Sequence, residues 1–187
     1  MSESIISIIS KRRSCRNFTT EQISRQEIEV LIRAAQGAPI GMNYCDKIKL
    51  FIIQNNKLLD ELEQNTLQYF SNSKTQMGNH IIKSALYKAP TLIIVAIEKL
   101  TGRFERAQYC SAACILENMI LTATEMGIGT IYLSGVTNAL NENRELLTKL
   151  GIPKEYEAAS AIAIGRPTKE QNTRNLNEER IASKWLV

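Results

Sequence analysis

The chain has 187 residues, 44% of them hydrophobic and 22% charged, and its 23 basic and 19 acidic residues give a net charge of +4. This length predicts a single compact domain over residues 1–187, and the composition excludes a disordered or low-complexity chain. So small a charge excess does not argue for a nucleic-acid-binding protein, although a compact anionic ligand could use it.

The start of the chain predicts neither export nor membrane insertion. In MSESIISIISKRRS an acidic residue precedes the apolar ones and the basic cluster follows them, the reverse of a secretory signal. The longest apolar runs, such as TLIIVAI, are far shorter than the about 20 residues of a membrane helix. We therefore expect a cytoplasmic protein with free cysteines. Cys110 and Cys114 are four residues apart, so we expect small core positions on a helix and not a redox or zinc pair.

Hydrophobic periodicity in the first half of the chain predicts three helices and one strand. A short amphipathic helix covers residues 3–12. Ser24 and Glu27 form the pattern of a capping box, which begins a second helix that ends near Gly37 and Pro39. KIKLFIIQN is β-branched and alternating, which predicts a strand, and NKLLDELEQNTLQYF is helical.

The second half predicts three more strands and three more helices. APTLIIVAIEK is an apolar run typical of a strand buried on both faces. Residues 105–126 form the longest helix, alanine-rich and expected to be central, with Gly127 at its end. IGTIYLSGV predicts a strand and turn, EAASAIAIGRP a last strand, and NEERIASKWLV a short closing helix. We expect one helix in NALNENRELLTKLGI, capped by Thr137 or Asn138. Together these elements indicate an α+β fold, a small sheet with helices on both faces.

The residues present argue against several familiar chemistries. The single histidine, His80, lies in a polar segment and favours a surface role over a metal or nucleophile site. No Walker loop occurs, and GIGTIY has Tyr132 where a dinucleotide fingerprint needs its third glycine and precedes a strand instead of following one. An enzyme with so few reactive side-chain motifs needs a bound cofactor to carry the chemistry.

The basic stretch KRRSCRNF, which contains Arg12, Arg13, Ser14 and Arg16, admits two interpretations. It can be a solvated surface, or it can bind an anion, because guanidinium groups match phosphate oxygens bidentately and a serine hydroxyl adds a donor. Taken alone, the cluster leaves both possibilities open.

The wider pattern resembles the flavin-dependent nitroreductase family. That family opens with R-R/H-S-x-R/K-x-F and then has a helix ending A-A-x-x-A-P-S-x-x-N-x-Q-P-W. This chain has RRSCRNF and then matches the second motif at Ala34, Ala35, Ala38, Pro39, Gly41 and Asn43. YKAPTLIIVAI, EMGIGTIYLSG and AIAIGRPTKEQNTRNLNEERIASKW are similar to later family segments, in the same order.

The resemblance implies a three-layer α/β/α fold with a small, mostly antiparallel sheet and a C-terminal extension that wraps a partner subunit. It implies a homodimer with FMN at the subunit interface and NAD(P)H as electron donor in a ping-pong reaction. The acceptor would be a small electron-poor molecule, such as a nitroaromatic or a quinone, with no nucleic-acid or membrane partner. FMN would carry the chemistry, so no side chain is assigned a catalytic role.

Residue by residue, the resemblance implies a phosphate and ribityl site at Arg12, Arg13 and Ser14. Arg16 would lie near the pyrimidine edge of the flavin, where positive charge stabilises the anionic reduced form. A residue of the tail would close the phosphate site, with Arg174 favoured and Lys169 as the alternative.

Two further groups of flavin contacts are implied. The turn after the third strand would lie along the flavin ring through Leu133, Ser134 and Gly135. The other subunit would contribute a loop containing Pro39, Ile40, Gly41 and Asn43.

The chain departs from the family pattern near the expected substrate face. Ile40 stands where the family has serine, and Cys45, Asp46 and Lys47 stand where it has Gln-Pro-Trp. Residues 56–82 fall in a region that varies in the family and often forms a substrate lid. Other interpretations therefore stay open: a dehalogenase, an enoate reductase or a flavin-fragmenting enzyme on the same fold, a flavin store or sensor without turnover, and a basic nucleic-acid-binding module.

Overall fold

A computed structural model describes residues 4–72, 83–102 and 105–186 of the chain. Its four-stranded sheet has the order β1-β2-β4-β3, and every neighbouring pair is antiparallel. The strands are β1 Ile48–Ile53, β2 Thr91–Glu98, β3 Gly129–Tyr132 and β4 Tyr156–Gly165. The prediction of a small antiparallel sheet is confirmed. His80 lies outside the described residues.

Six helices surround this sheet in the described part of the chain, together with two short 3-10 turns at Gly41–Asn43 and Cys45–Lys47. The helices are α1 Ile5–Lys11, α2 Arg25–Gln36, α3 Asn56–Asn72, α4 Glu105–Glu125, α5 Ser134–Glu142 and α6 Arg144–Lys149. None of these described helices is both long enough and apolar enough to cross a membrane.

Alternating residues of β2 divide the core into two halves, and seven of its eight residues are buried. Ile93 and Val95 face a cluster built with α2 and α4, whereas Leu92 and Ile94 face a cluster built with α3, α5 and α6. Because successive side chains of a strand point to opposite faces, one central strand serves both cores. This confirms the helix–sheet–helix layers.

The capping box predicted for α2 is present. The Ser24 Oγ accepts a hydrogen bond of 3.3 Å from the Glu27 backbone N–H, and the Glu27 carboxylate accepts one of 3.0 Å from the Ser24 backbone N–H. The Arg166 guanidinium also donates to Glu27 at 2.6 Å, which ties α2 to the residue after β4. Gly37 forms the C-cap, as predicted.

The predicted single helix in NALNENRELLTKLGI is wrong. Helix α5 begins earlier, at Ser134, and the chain breaks at Asn143, whose φ of −110° and ψ of 88° are not helical. The Asn143 Oδ1 accepts a hydrogen bond of 3.0 Å from the Leu146 N–H and so caps α6. Thr137 and Asn138 therefore lie inside α5 and cap nothing. The sequence around the break contains no glycine or proline, so its hydrophobic periodicity does not reveal that the helix ends there.

The predicted closing helix is also wrong, because no helix forms within residues 168–186. Backbone hydrogen bonds hold this tail at Thr168, which donates to the Asn17 carbonyl at 3.1 Å, and at Arg174, which donates to the Ser10 carbonyl at 2.7 Å. The side chains of Ile181, Trp185 and Leu186 are 85–87% exposed. A short helix with no surface to pack against is not stable, which accounts for the absence of a helix in the tail.

Two helices present apolar or small residues to solvent within one protomer. On α1 only Ile8 is buried, whereas Ile5, Ile6 and Ile9 are exposed. On α4 one face packs on the sheet while Cys110 is exposed and Cys114 half-buried. The expectation that both cysteines are core residues is therefore wrong, and the expectation of free thiols is confirmed.

Candidate functional site

The basic stretch runs along the free edge of the sheet. Strand β3 is an edge strand, and Ser14 forms an isolated parallel bridge with Thr130 on it. The Cys15 backbone N–H donates a hydrogen bond of 2.8 Å to the Thr130 carbonyl. Phe18 forms a second bridge, to Pro167. Arg12 to Arg16 therefore lie beside the strand that leads into the turn at Leu133.

Glycines make this close approach possible. A Cβ atom on Gly129 would lie 2.9 Å from both Cβ and Sγ of Cys15, and a Cβ atom on Gly165 would lie 3.1 Å from the Phe18 ring. Gly129 and Gly165 are opposite each other in the β3–β4 pair. Gly129, the second glycine in GIGTIY, is thus needed for packing of the basic segment and not for a dinucleotide turn.

The tail brings a further arginine to this segment. The hydrogen bond from the Arg174 backbone N–H to Ser10 places Arg174 against the end of α1. The pKa of the Arg174 guanidinium is lowered, first by loss of solvent and then by the positive charges of Arg180, Arg12 and Arg13. The four arginines therefore form one cluster of like charge.

Arg12, Arg13, Arg174 and Arg180 form no ion pair with a carboxylate among the residues that the structure describes, although Glu170 lines two cavities together with Arg13. The cations of the ion pairs there include Arg25, Lys47, Lys149 and Arg166. Lys169 lines a cavity of about 420 Å³ together with Arg13, so both candidates for the tail residue lie near the basic segment. Several guanidinium groups brought together without an ion-paired carboxylate form a site suited to a multiply charged anion such as a phosphate monoester.

The turn after β3 lies at the end of the same edge strand. The Leu133 backbone N–H donates a hydrogen bond of 2.8 Å to the Ala161 carbonyl, and Ser134, the first residue of α5, is exposed. No side chain caps α5 at its N-terminus. Since the first backbone N–H groups of a helix have no intrahelical acceptor, this turn offers free donors to a ligand.

The loop containing Pro39 to Asn43 is held against the N-terminal half of α4. The Gly41 backbone N–H donates a hydrogen bond of 2.9 Å to the Ser111 Oγ, and a Cβ on Gly41 would lie 3.0 Å from the Ala107 Cβ. Met42 and Asn43 both have positive φ angles, 58° and 56°. Two consecutive non-glycine residues in the left-handed region are strained, and such strain is characteristic of ligand-binding loops.

Within one protomer the loop and the basic segment are not brought together. The loop packs at Ser111, whereas Arg13 shares a cavity of about 300 Å³ with Thr124 at the other end of α4. From Ser111 to Thr124 the helix rises about 20 Å. The predicted site residues therefore form two separate groups in a single chain.

Two of the residues that replace Gln-Pro-Trp, Asp46 and Lys47, bond the loop to strands of the sheet. Lys47 forms an ion pair of 2.7 Å with Glu98, which raises the pKa of Lys47. The Asp46 carbonyl accepts a hydrogen bond of 3.2 Å from the Tyr156 hydroxyl. Cys45 is exposed, and its Sγ lies 3.7 Å from the Asn43 Oδ1.

Two residues near these groups escaped the sequence analysis. Arg180 belongs to the arginine cluster, and its only signal in the sequence is its charge. Phe70 lies against Gly135 of the turn, at the end of a helix far away in the chain. No local motif marks either position, since both contacts arise from packing.

Comparison with known proteins gives consistent matches. Residues 9–166 match the model of the Nitroreductase family. A putative NADH dehydrogenase/NAD(P)H nitroreductase of Archaeoglobus fulgidus is 27% identical, with 91% of this chain and 89% of that protein covered. An NADPH-dependent oxidoreductase of Staphylococcus saprophyticus is 23% identical, with 92% of this chain and 68% of that protein covered.

Solved structures are similar over nearly the whole chain. A nitroreductase with bound FMN from Bacteroides fragilis is 26% identical with a TM-score of 0.80, covering 97% of this chain and 100% of that one. A nitroreductase with bound FMN from Desulfitobacterium hafniense has the same fold, with a TM-score of 0.84 at 23% identity and coverage of 99% and 100%.

Proposed function

The chain belongs to the nitroreductase family, and from this we propose that it is an FMN-dependent oxidoreductase that takes its electrons from NADH or NADPH. The observation that carries the proposal is the cluster of Arg12, Arg13, Arg174 and Arg180, which forms no ion pair among the described residues. Binding of a dianionic phosphate would offset the repulsion between these four positive charges.

The chemistry of the available donors fits FMN along the edge of β3. Arg12, Arg13 and Ser14 would hold the phosphate and ribityl chain, with Arg174 closing the site. Arg16 would face the pyrimidine edge, where its positive charge stabilises negative charge on the reduced ring. The uncapped backbone N–H groups at Ser134 and Gly135 would hydrogen-bond the ring.

When bound, FMN would supply two-electron chemistry in ping-pong order, accepting a hydride from a nicotinamide and passing reducing equivalents to an electron-poor acceptor. The chain's own residues bind the cofactor, orient it and adjust its charge. The proposal assigns no acid or base role to a side chain, because the flavin would carry the chemistry.

We propose that the second group of site residues reaches FMN from a partner subunit. The Pro39–Asn43 loop lies about 20 Å along α4 from the residues that share a cavity with Arg13, so within one protomer the loop is far from the proposed phosphate site. A symmetric dimer in which the loop of each copy meets the basic segment of the other would complete two equal sites.

Exposed apolar residues provide surfaces for such a dimer. Ile5 and Ile6 on α1 are 57% and 61% exposed, and the tail exposes Ile181, Trp185 and Leu186. Apolar groups of this size are rarely left in water by a monomer. The tail would wrap the partner and become ordered on it, as the family resemblance implies.

The acceptor would be a small nitroaromatic, quinone or similar molecule entering beside Ile40 and Cys45. Because all four cysteines are free, we also place the protein in the cytoplasm, where thiols stay reduced.

The proposal is tested on the purified protein. We expect a yellow protein that bleaches with NADH or NADPH in the absence of air and regains its colour on addition of a nitroaromatic or a quinone. A yellow protein that neither donor bleaches would instead be a flavin store or sensor. A protein that stays colourless after incubation with FMN would contradict the proposed function.

A further inference from the structure

We propose that Phe70 is a positioning residue for the flavin-contacting turn, because its ring rests on Gly135 and determines where the backbone N–H groups of the turn lie. The inference depends on the proposed function, since the role of the turn as an FMN contact is itself proposed.

The contact between the two residues leaves no room for a side chain. A Cβ atom built on Gly135 would lie 3.0 Å from Cε1 and 3.2 Å from Cε2 of Phe70, and closer still to Cζ. Gly135 is not among the glycines with a positive φ angle. Glycine is therefore needed here for space and not for an unusual backbone conformation, and the Phe70 ring edge packs directly on the backbone of the turn.

Helix α3 is held in place by two other contacts with the α5–α6 pair. The Asn65 Oδ1 accepts a hydrogen bond of 2.8 Å from the Asn143 Nδ2, and Glu61 forms an ion pair of 2.6 Å with Lys149. Phe70, Asn65 and Glu61 contact Gly135, Asn143 and Lys149, respectively. Helix α3 therefore runs antiparallel to the segment that contains α5 and α6. From Glu61 to Phe70 the helix extends about 14 Å. These contacts hold α3 in position along its axis. They thereby also hold Phe70, near the end of the helix, against Gly135.

The Phe70 ring is also supported from behind. The Tyr69 ring lies 5.8 Å from it, centroid to centroid, at an interplanar angle of 61°, the edge-to-face arrangement that aromatic pairs prefer. Further back on α3, Leu62 and Thr66 are fully buried in the core. The buried residues hold the backbone of α3 in place, and the Tyr69 ring restricts the positions open to the Phe70 ring.

The turn is consequently held at both ends. At one end the Leu133 N–H is bonded to the Ala161 carbonyl, and at the other Gly135 lies under Phe70. The exposed residue Ser134 lies between these two fixed points. Hydrogen-bond donors aimed at a reacting group are effective only when they are held in place before the reaction. Removal of the Phe70 ring releases one of the two fixed ends.

The first test compares Phe70→Ala and Phe70→Leu with the control variant Leu62→Ala, a truncation in the core of the same helix two turns away. We measure the anaerobic rate of flavin reduction by the donor that reduces the wild type faster, the visible spectrum of the bound flavin and the Tm. Misplacement of a positioned group by about 1 Å can cost about a hundredfold in rate, so we expect Phe70→Ala to slow reduction about tenfold or more. Phe70→Leu should show a smaller effect, and it remains informative if Phe70→Ala fails to fold.

The control separates positioning from stability. Leu62→Ala should lower the Tm because it leaves a cavity, yet keep the reduction rate and the flavin spectrum of the wild type. A second test uses Gly135→Ala, which should slow reduction by displacing the ring, and the double variant Phe70→Ala/Gly135→Ala, in which the space left by the ring accepts the new methyl group. The flavin of the double variant should be reduced faster than the combined effects of the two single substitutions predict.

The inference is overturned if Phe70→Ala and Phe70→Leu keep the wild-type rate and spectrum, or if the two substitutions are additive. A wild-type protein that binds FMN and is reduced would at the same time support the proposed function, so that only the role of Phe70 would fall. A wild-type protein that binds no FMN would overturn both.

Discussion

The backbone N–H of Arg174 donates a 2.7 Å hydrogen bond to the carbonyl oxygen of Ser10, which joins the C-terminal tail to the last turn of α1. The bond brings Arg174 into the electrostatic range of Arg12 and Arg13, more than 160 positions earlier in the chain. The proposed phosphate site is therefore assembled from the two ends of the chain across the edge of the sheet. This arrangement leads to several expectations for the purified protein.

Replacement of Arg174 by alanine should weaken FMN binding. Hydrogen bonds to charged groups contribute about 1.5–3 kcal/mol, so the Kd for FMN should rise about tenfold to a hundredfold. The apoprotein should lose no stability, because the substitution removes a like charge from the arginine cluster. Fluorescence titration of the apoprotein with FMN measures the first effect and urea unfolding the second.

Arg25→Ala is the matched control for this test, since Arg25 lies on the outer face of α2 with 92% of its side chain exposed. It should leave the Kd for FMN unchanged. An Arg174→Ala protein with wild-type affinity, together with a weakened Lys169→Ala protein, would assign the closing role to Lys169.

Replacement of Ile6 by aspartate should prevent dimer formation and reduce FMN binding with it. Burial of an isoleucine contributes about 1.5–3 kcal/mol, and a symmetric dimer loses it twice, so the dimer Kd should rise about a hundredfold or more. Sedimentation equilibrium measures the dimer Kd, and flavin absorbance measures the bound cofactor. Lys57→Glu, an exposed change on α3, serves as the control. A monomeric Ile6→Asp protein that retains FMN would contradict the shared site.

Replacement of Gly129 by alanine should destabilise the protein. The new methyl group would lie 2.9 Å from the Cys15 side chain, and overpacking of this kind costs about 1–3 kcal/mol. Because Cys15 adjoins Ser14, FMN affinity should fall as well. Gly37→Ala is the control, since its Cβ would have its nearest neighbour at 3.5 Å. Thermal unfolding of both variants measures the difference, and equal Tm values would disprove the packing role of Gly129.

The stabilisation provided by Glu27 should depend on pH. Its pKa is lowered, first by the hydrogen bond from the Ser24 backbone and also by Arg166. A carboxylate with a lowered folded-state pKa stabilises the protein fully above its unfolded value of 4.5, and the contribution is lost as the pH falls through the folded-state pKa. Glu27→Gln should therefore cost about 1 kcal/mol at pH 7, the typical contribution of a cap, and close to nothing at low pH.

Urea unfolding at a series of pH values checks this dependence. Glu29→Gln, which removes only an exposed partner of Arg25, should show a small and nearly constant difference from the wild type. A Glu27→Gln difference that is the same at pH 3 and pH 7 would show that the charge of Glu27 does not contribute.

Several elements could be predicted from the sequence alone because their causes lie within a few residues of one another. The Ser24–Glu27 cap, the fully apolar run of β2 and the helix stop at Gly127 each depend on local hydrogen bonds or on the hydrophobic period. The break at Asn143 escaped prediction, because the asparagine that caps α6 is also bonded to Asn65 on a distant helix. The sequence NEERIASKWLV predicted a helix at the end of the tail, whereas the described residues 168–186 form none, and Arg174 joins the tail to α1 through a backbone hydrogen bond.

The sequence determined the order and type of most elements, the family resemblance and the position of a basic segment. Only the tertiary structure decided that Arg174 and Arg180 join Arg12 and Arg13, that the Pro39–Asn43 loop lies at the far end of α4, and that Phe70 rests on Gly135. The physical reason is range. Backbone hydrogen bonding and side-chain periodicity act between near neighbours, whereas a site is formed by the packing of elements that are distant in the chain.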